Sequence, residues 1–162
     1  MLAASNPCPC GYLGHEKKPC HCLPGTILKY QKRLSGPLLD RIDLHIDVPS
    51  VPEEKLTSNI MSESSQKVRA RVVKAREIQK KRFAGLKIFT NGEMSSAQIK
   101  QFCQLSPGAI SLLKQAISKL SLSARSYFKT IKISQTIADL NGQKIIDTSY
   151  VAEALQFRSH DE

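Results

Sequence analysis

The chain contains no tryptophan, and only 6% of its 162 residues are aromatic, though the 41% that are hydrophobic are enough for a core. Acidic residues are also scarce, 14 against 24 Lys and Arg, which leaves a formal net charge of +10. No apolar run approaches the roughly 20 residues needed to cross a bilayer, so no membrane partner is expected. The opening Met-Leu-Ala-Ala-Ser-Asn-Pro has no basic region and too short an apolar stretch for a signal peptide. A cytoplasmic protein with reduced thiols is the resulting expectation. There is no G-x-x-x-x-G-K-[ST] phosphate cradle and no apolar strand ending in Asp-Glu to hold magnesium.

What is present falls into three regions. Residues 1–48 are rich in Pro, Gly and Cys and then alternate, with Ile42, Leu44, Ile46 and Val48 set against Asp43, His45 and Asp47. That period of two predicts a strand with one buried face, ended by Pro49. Leu2-Ala3-Ala4 reads as the end of another strand with nothing before it to pair, a first sign of a fragment. Residues 49–66 hold two Pro and several Ser without any period and read as a linker. Residues 67–162 read as helices. The first runs from Lys67 to about Phe83, with Val68, Val72, Ala75 and Gln79 on one face. A short helix capped by Ser95 or Ser96 runs to Cys103, and Ser106-Pro107 opens a third with Ile110, Leu113, Ile117 and Leu120 inward. Ser123 opens a fourth, whose stripe runs from Tyr127 and Phe128 to Ile137 and Leu140 and stops at Asn141-Gly142. Asp147 or Thr148 caps a fifth through Phe157.

The charge is uneven. Lys67–Arg82 carries eight basic residues against the single Glu77. Lys67, Arg69, Arg71, Lys74 and Lys81 form either a solvated helix face or a stripe that contacts nucleic-acid phosphates.

Cys8-Pro9-Cys10 and Cys20-His21-Cys22 make two C-x-C pairs separated by nine residues, with Gly11 and Gly14 between. Two thiolate pairs on tight turns can supply four ligands to a tetrahedral zinc; a site closed by four sulfurs would be structural, with no open position for water. His15 and His21 are spare ligands, and the competing reading is a set of reduced surface thiols. Cys103, alone on an apolar helix, reads as a small buried hydrophobe.

Several segments together carry a resemblance: Ala3-Ala4-Ser5-Asn6-Pro7-Cys8-Pro9-Cys10-Gly11, Ser35-Gly36-Pro37-Leu38-Leu39-Asp40-Arg41-Ile42-Asp43-Leu44-His45, Leu122-Ser123-Ala124-Arg125-Ser126-Tyr127, Thr136-Ile137-Ala138-Asp139-Leu140 and Glu153-Ala154-Leu155-Gln156-Phe157-Arg158. They resemble the C-terminal part of the magnesium-chelatase-like AAA+ ATPases of the competence protein ComM family. The resemblance implies a mainly α chain, a helical AAA+ lid bundle of about five helices at 67–162, preceded at 1–48 by a Cys-rich remnant of the α/β AAA+ core. It implies that Asn6 corresponds to the sensor 1 residue orienting the attacking water, Arg41 to the arginine finger, and Arg125 to the sensor 2 residue contacting nucleotide. Phosphoryl transfer is mostly positioning and charge stabilisation, so these residue types suit it. Taken without the resemblance, Asn6 would be a turn former, Arg41 an ion-paired strand residue and Arg125 a solvated first-turn arginine.

The expected function is therefore that of a C-terminal portion of a ring-forming motor, a hexamer in its full-length form, that couples ATP and magnesium to DNA remodelling in recombination or natural transformation. Without a phosphate cradle the chain alone is expected to be inactive. Two alternatives stay open: the ATPase subunit of a magnesium chelatase, against which the Cys-Pro-Cys-Gly cluster speaks, and a free-standing zinc-binding nucleic-acid module.

Overall fold

The computed structural model describes residues 2–33, 36–49, 51 and 63–158. Ser35 of the Ser-Gly-Pro-Leu-Leu-Asp-Arg motif and residues 52–62 of the expected linker lie outside them. The chain divides into two compact units between Ile60 and Met61.

In the first unit, helix α1 (Pro24–Gln31) starts at a proline that pre-sets the first helical turn, and the single turn α2 (Gly36–Leu39) precedes Arg41. No strand forms at Ile42–Val48. The segment is extended, but Leu44, Ile46 and Val48 are exposed. Alternation marks a strand's faces, yet a ladder needs a neighbour, and the described residues provide none here. The same holds for Leu2-Ala3-Ala4. α1 itself was not foreshadowed by any apolar period, and it buries no residue.

The second unit holds the five expected helices: α3 (Ser65–Arg82), α4 (Ser96–Phe102), α5 (Pro107–Lys119), α6 (Ala124–Leu140) and α7 (Thr148–Gln156). Each of α3 to α6 starts where a serine accepts from a backbone amide three residues on: Ser64, Ser95, Ser106 and Ser123. At Ser95 the Gln98 side chain returns the bond, completing a capping box. α6 ends in a Schellman turn. Gly142 takes φ +69° and donates to Asp139 O, while Gln143 donates to Ala138 O, which is why Asn141-Gly142 stops the helix.

Two two-residue strands, β1 (Gln104–Leu105) and β2 (Ile145–Ile146), pair in parallel. They lead directly into the starts of α5 and α7, and the Ser106 hydroxyl donates to the Asp147 carboxylate at 3.0 Å. The Thr148 amide and this hydroxyl hold the Asp147 carboxyl below its usual range. The joint therefore persists at neutral pH and weakens only as acid protonates that carboxylate.

The core gathers Phe83, Met94, Ile99, Cys103, Ala109, Leu113, Ile131, Ile146 and Val151, with Phe83 and Phe102 edge to face at 5.7 Å. Cys103 is buried as expected, and burial pushes its thiol up to about 11. Two expected stripes shift. α5 faces inward with Ala109, Leu113 and Ala116, leaving Ile110, Ile117 and Leu120 exposed. In α3 only Ala75 and Gln79 are buried, while Val68 and Val72 are exposed, so the first ten residues of the helix bury nothing. α6 is buried around most of its surface, polar residues included. Thr130 and Ser134 donate to the carbonyls four residues back at 2.9 and 2.8 Å, which lets small hydroxyl residues pack as if apolar.

At the heart of this unit lies an ion pair. Asp139, 1% exposed, accepts a bidentate pair of bonds from Arg82, one of 2.7 Å, and further bonds from Asn91 at 2.8 Å and Gln135 at 3.2 Å. Asn91 also accepts from Arg82 at 2.8 Å and donates to Thr136 at 3.0 Å. This network joins the end of α3, the 3₁₀ turn Asn91–Glu93 and α6.

Removing one member leaves a buried charge unpaired, which costs about 3–5 kcal/mol, whereas an apolar pair of similar volume restores packing. Arg82→Met and Asp139→Leu should each lower the stability of this unit by about that amount in urea melts. The double variant should recover most of the loss; equal losses in single and double variants would refute the account.

Candidate functional site

The N-terminal turns draw the four cysteines together. Gly11 takes φ +79° and donates to Cys8 O at 3.0 Å, closing the Cys8-Pro9-Cys10 turn, and Gly14 takes φ +78° in the returning loop. Tyr12 meets His15 edge to face at 5.7 Å, and Lys18 lies over the Tyr12 ring at 5.2 Å. His15 Nδ1 accepts from the Lys17 and Lys18 amides at 3.1 and 3.3 Å, so it braces the loop. Cys22 then sits two residues before α1.

The sulfurs of Cys8 and Cys10 are 3.4 Å apart, those of Cys8 and Cys20 3.7 Å, and those of Cys10 and Cys20 3.5 Å. All four ligand atoms lie within 4.8 Å of one another, without His15 or His21 in the group. Tetrahedral zinc with bonds of about 2.3 Å places its sulfurs about 3.8 Å apart, so the donor set and its size can hold a metal ion and are compatible with zinc. Cys8 is fully buried and the other three are partly or fully exposed.

The thiols do not ionise independently. The Tyr12 amide and then the Cys8 side chain bring Cys10 down to about 6. The Cys22 amide pulls Cys20 down, but desolvation and the neighbouring sulfurs outweigh it and push the thiol up to about 12. Cys22 is also raised: the Cys10 amide works against this, and the Cys10 side chain and burial prevail. One thiolate forms readily and suppresses the next, the behaviour of crowded like charges. A dication would lift that restraint, and the amides aimed at the sulfurs would orient them.

Cys8 is also the single buried side chain among the described residues of the first unit. So small a piece without a core needs a staple, and a four-thiolate metal is one.

The other expected site residues are placed as follows. Asn6 is exposed, with its carboxamide against the Gly11 turn: a Cβ added at Gly11 would lie 3.8 Å from Asn6 Cγ and Nδ2. Arg41 is exposed in the turn after α2, where its amide donates to Leu38 O at 3.0 Å, and His45 Nε2 lies 3.1 Å from Leu39 O. Arg125 is exposed at the second residue of α6. Lys67, Arg69, Arg71, Lys74 and Lys81 are all exposed along α3. The basic run is not uniform, however. Arg71 pairs with Glu63 at 2.9 Å, Arg76 donates to Gln79 and to Phe89 O, and Arg82 is committed to Asp139. Lys74 and Lys81 line an open cleft of about 420 Å³ with Glu77, Ile78 and the end of α6. The Arg82–Asp139 pair escaped sequence reasoning; its only local sign is an acid within the apolar stripe of α6.

Metal binding should displace protons from Cys20 and Cys22, whose thiols are raised, so affinity should fall as pH falls. Titration of reduced, metal-free protein with zinc in buffers of different ionisation heat should show proton release and about one zinc per chain. A folded first unit that takes up no zinc would contradict the assignment.

Comparison with known proteins identifies the family. Residues 62–158 match the family model described as magnesium chelatase, subunit ChlI C-terminal, and residues 1–56 match magnesium chelatase, subunit ChlI. The chain is 40% identical over 161 residues to competence protein ComM of Haemophilus influenzae, covering 98% of this chain and 30% of that protein. It is 37% identical over 163 residues to YifB of Escherichia coli, covering 99% and 31%, and 33% identical over 162 residues to Rv2897c of Mycobacterium tuberculosis, covering 98% and 31%. It thus spans about a third of the length of these relatives. With a helical bundle over one family segment and a cysteine knuckle within the other, the chain belongs to the magnesium chelatase ChlI-like family and is a homologue of ComM.

Proposed function

We propose that this chain is the C-terminal portion of a magnesium-chelatase-like AAA+ ATPase that couples ATP hydrolysis to DNA remodelling in competence and recombination. The observation that carries the reading is the 40% identity, over nearly the whole chain, to a relative named as a competence protein. In this reading the chain supplies sensing and charge-stabilising groups to a nucleotide site whose phosphate cradle lies in another part of the protein.

Asn6 would orient the water that attacks the γ-phosphate. Arg41 would reach into the site of a neighbouring subunit in the ring, a hexamer, where its guanidinium fork would meet charge developing on the transferred phosphoryl oxygens. Arg125 would link nucleotide to the helical unit, Lys67–Glu162, acting as the lid; its place in the first turn of α6, exposed, suits that reach. Magnesium would accompany ATP, and zinc on Cys8, Cys10, Cys20 and Cys22 would be structural. DNA is the proposed partner of Lys67, Arg69, Arg71, Lys74 and Lys81, which is supported by their exposure along the projecting part of α3 and by the net charge of +10. The family description itself favours a second reading, the ATPase subunit of a magnesium chelatase; porphyrin metallation by the parent protein would decide for it.

In the parent polypeptide, Arg41→Ala should leave ATP binding nearly intact and cut turnover by about 10³-fold or more. Because a finger acts between chains, mixing these subunits with ones disabled in the phosphate cradle should restore part of the activity. Wild-type hydrolysis by an assembled Arg41→Ala ring would overturn the role.

For the DNA surface, binding should be sequence-independent and fall steeply with salt, as counterion release requires. Arg71→Glu, Lys74→Glu and Lys81→Glu together should abolish it. Retention at high salt, or indifference to these changes, would exclude the stripe.

A further inference from the structure

The cysteine knuckle, α1 and Asn6 form one closed chain of links. Asn6 and Pro7 run directly into Cys8, the buried sulfur of the cluster. The Asn6 carboxamide lies beside the turn that Gly11 closes onto Cys8 O at φ +79°: a Cβ added at Gly11 would come within 3.8 Å of Asn6 Cγ and Nδ2. Cys22, the last sulfur, leads into α1, and the final residue of that helix, Gln31, donates its Nε2 back to Pro7 O at 3.3 Å. The segment carrying Asn6 is thus held at Cys8 and, through α1, at Pro7, with the Gly11 turn beside it.

Without a metal these ties are weak. An exposed hydrogen bond adds little net stability, and an eight-residue helix with no buried side chain is shorter than the roughly 12–15 residues at which isolated helices become even marginal. No apolar core exists among the described residues of this unit to replace them. A four-coordinate metal would hold Cys8 and Cys10 against Cys20 and Cys22, and so hold the Gly11 turn beside Asn6 and fix the start of α1 two residues after Cys22.

We infer that the four-cysteine knuckle is the mount of Asn6: metal binding sets the position of the Asn6 carboxamide, and metal loss frees it while the helical unit stays folded. This rests on the reading of Asn6 as a water-orienting group only for its consequence in catalysis. The mount itself is a property of this chain. Asn6 is the group that would act on water, and Gly11, Gln31 and the cysteines are positioning residues.

The mount is tested on this chain by ¹⁵N nuclear magnetic resonance, with the Asn6 carboxamide pair assigned by its loss in Asn6→Ala. In zinc-loaded protein that pair should be shifted away from the random-coil position. Stripping zinc with a chelator should collapse it to that position while the amides of Asn91, Leu113 and Ile131 in the helical unit remain in place. Gly11→Ala, which forces an unfavourable φ and adds a methyl beside Asn6, should keep the bound zinc and still move the Asn6 pair. An Asn6 signal indifferent to zinc, or loss of the helical-unit signals together with zinc, would overturn the inference.

The catalytic consequence is read separately in the parent polypeptide. Stripping zinc should lower turnover by the same factor as Asn6→Ala, and stripping the Asn6→Ala variant should lower it no further. A further loss in that variant would mean that zinc acts by another route and would overturn the mount as its mode of action. Full turnover by Asn6→Ala would instead defeat the reading of Asn6 as a water-orienting group, while the resonance result stood.

Discussion

The Arg82–Asp139 pair is the constraint on which the helical unit depends. A carboxylate 1% exposed is tolerable only with its charge and lone pairs answered, and here Arg82, Asn91 and Gln135 answer them. Those partners come from three stretches of chain, so the full set of bonds to Asp139 requires α3, the Asn91 turn and α6 together. The cost of burying the charge becomes a demand for one arrangement. α6, buried over most of its surface, then serves as the axis against which α3, α4 and α7 pack, while α5 packs on α7.

That arrangement also explains the shape of α3. At 18 residues it is about 27 Å long, yet it buries only Ala75 and Gln79. It is held at its C-terminal end, where Arg82 and Phe83 enter the core, and its first ten residues stand clear of the bundle. The arginines nearest the anchor are consumed by structure, Arg82 by Asp139 and Arg76 by the Phe89 carbonyl, while the lysines farther along stay exposed.

The first unit uses the opposite strategy. Among its described residues it has no apolar core; it concentrates its order in four sulfurs, two glycine turns and a short helix. The two units share a principle, since each gathers distant stretches around groups that are costly to leave unpaired. In one the pairing is internal and always present. In the other four neighbouring sulfurs could be answered by a metal ion, and on the mount proposed above the geometry around Asn6 would depend on it.

Much of this was legible in the residues. Helix starts at Ser95, Ser106 and Ser123, the stop at Asn141-Gly142, the burial of Cys103 and the grouping of Cys8, Cys10, Cys20 and Cys22 all follow from short-range chemistry: caps, left-handed glycines and ligand spacing act within a few residues. The outward turn of Ile110 and Ile117, the absence of a ladder at Ile42–Val48, the pairing of Gln104–Leu105 with Ile145–Ile146 and the union of Arg82 with Asp139 were not. Each depends on a neighbour far along the chain, 57 residues away for Arg82 and Asp139. Periodicity states which residues share a face, but which face is covered, and whether a charge on it is solvated or paired, is decided only when another element arrives to exclude water.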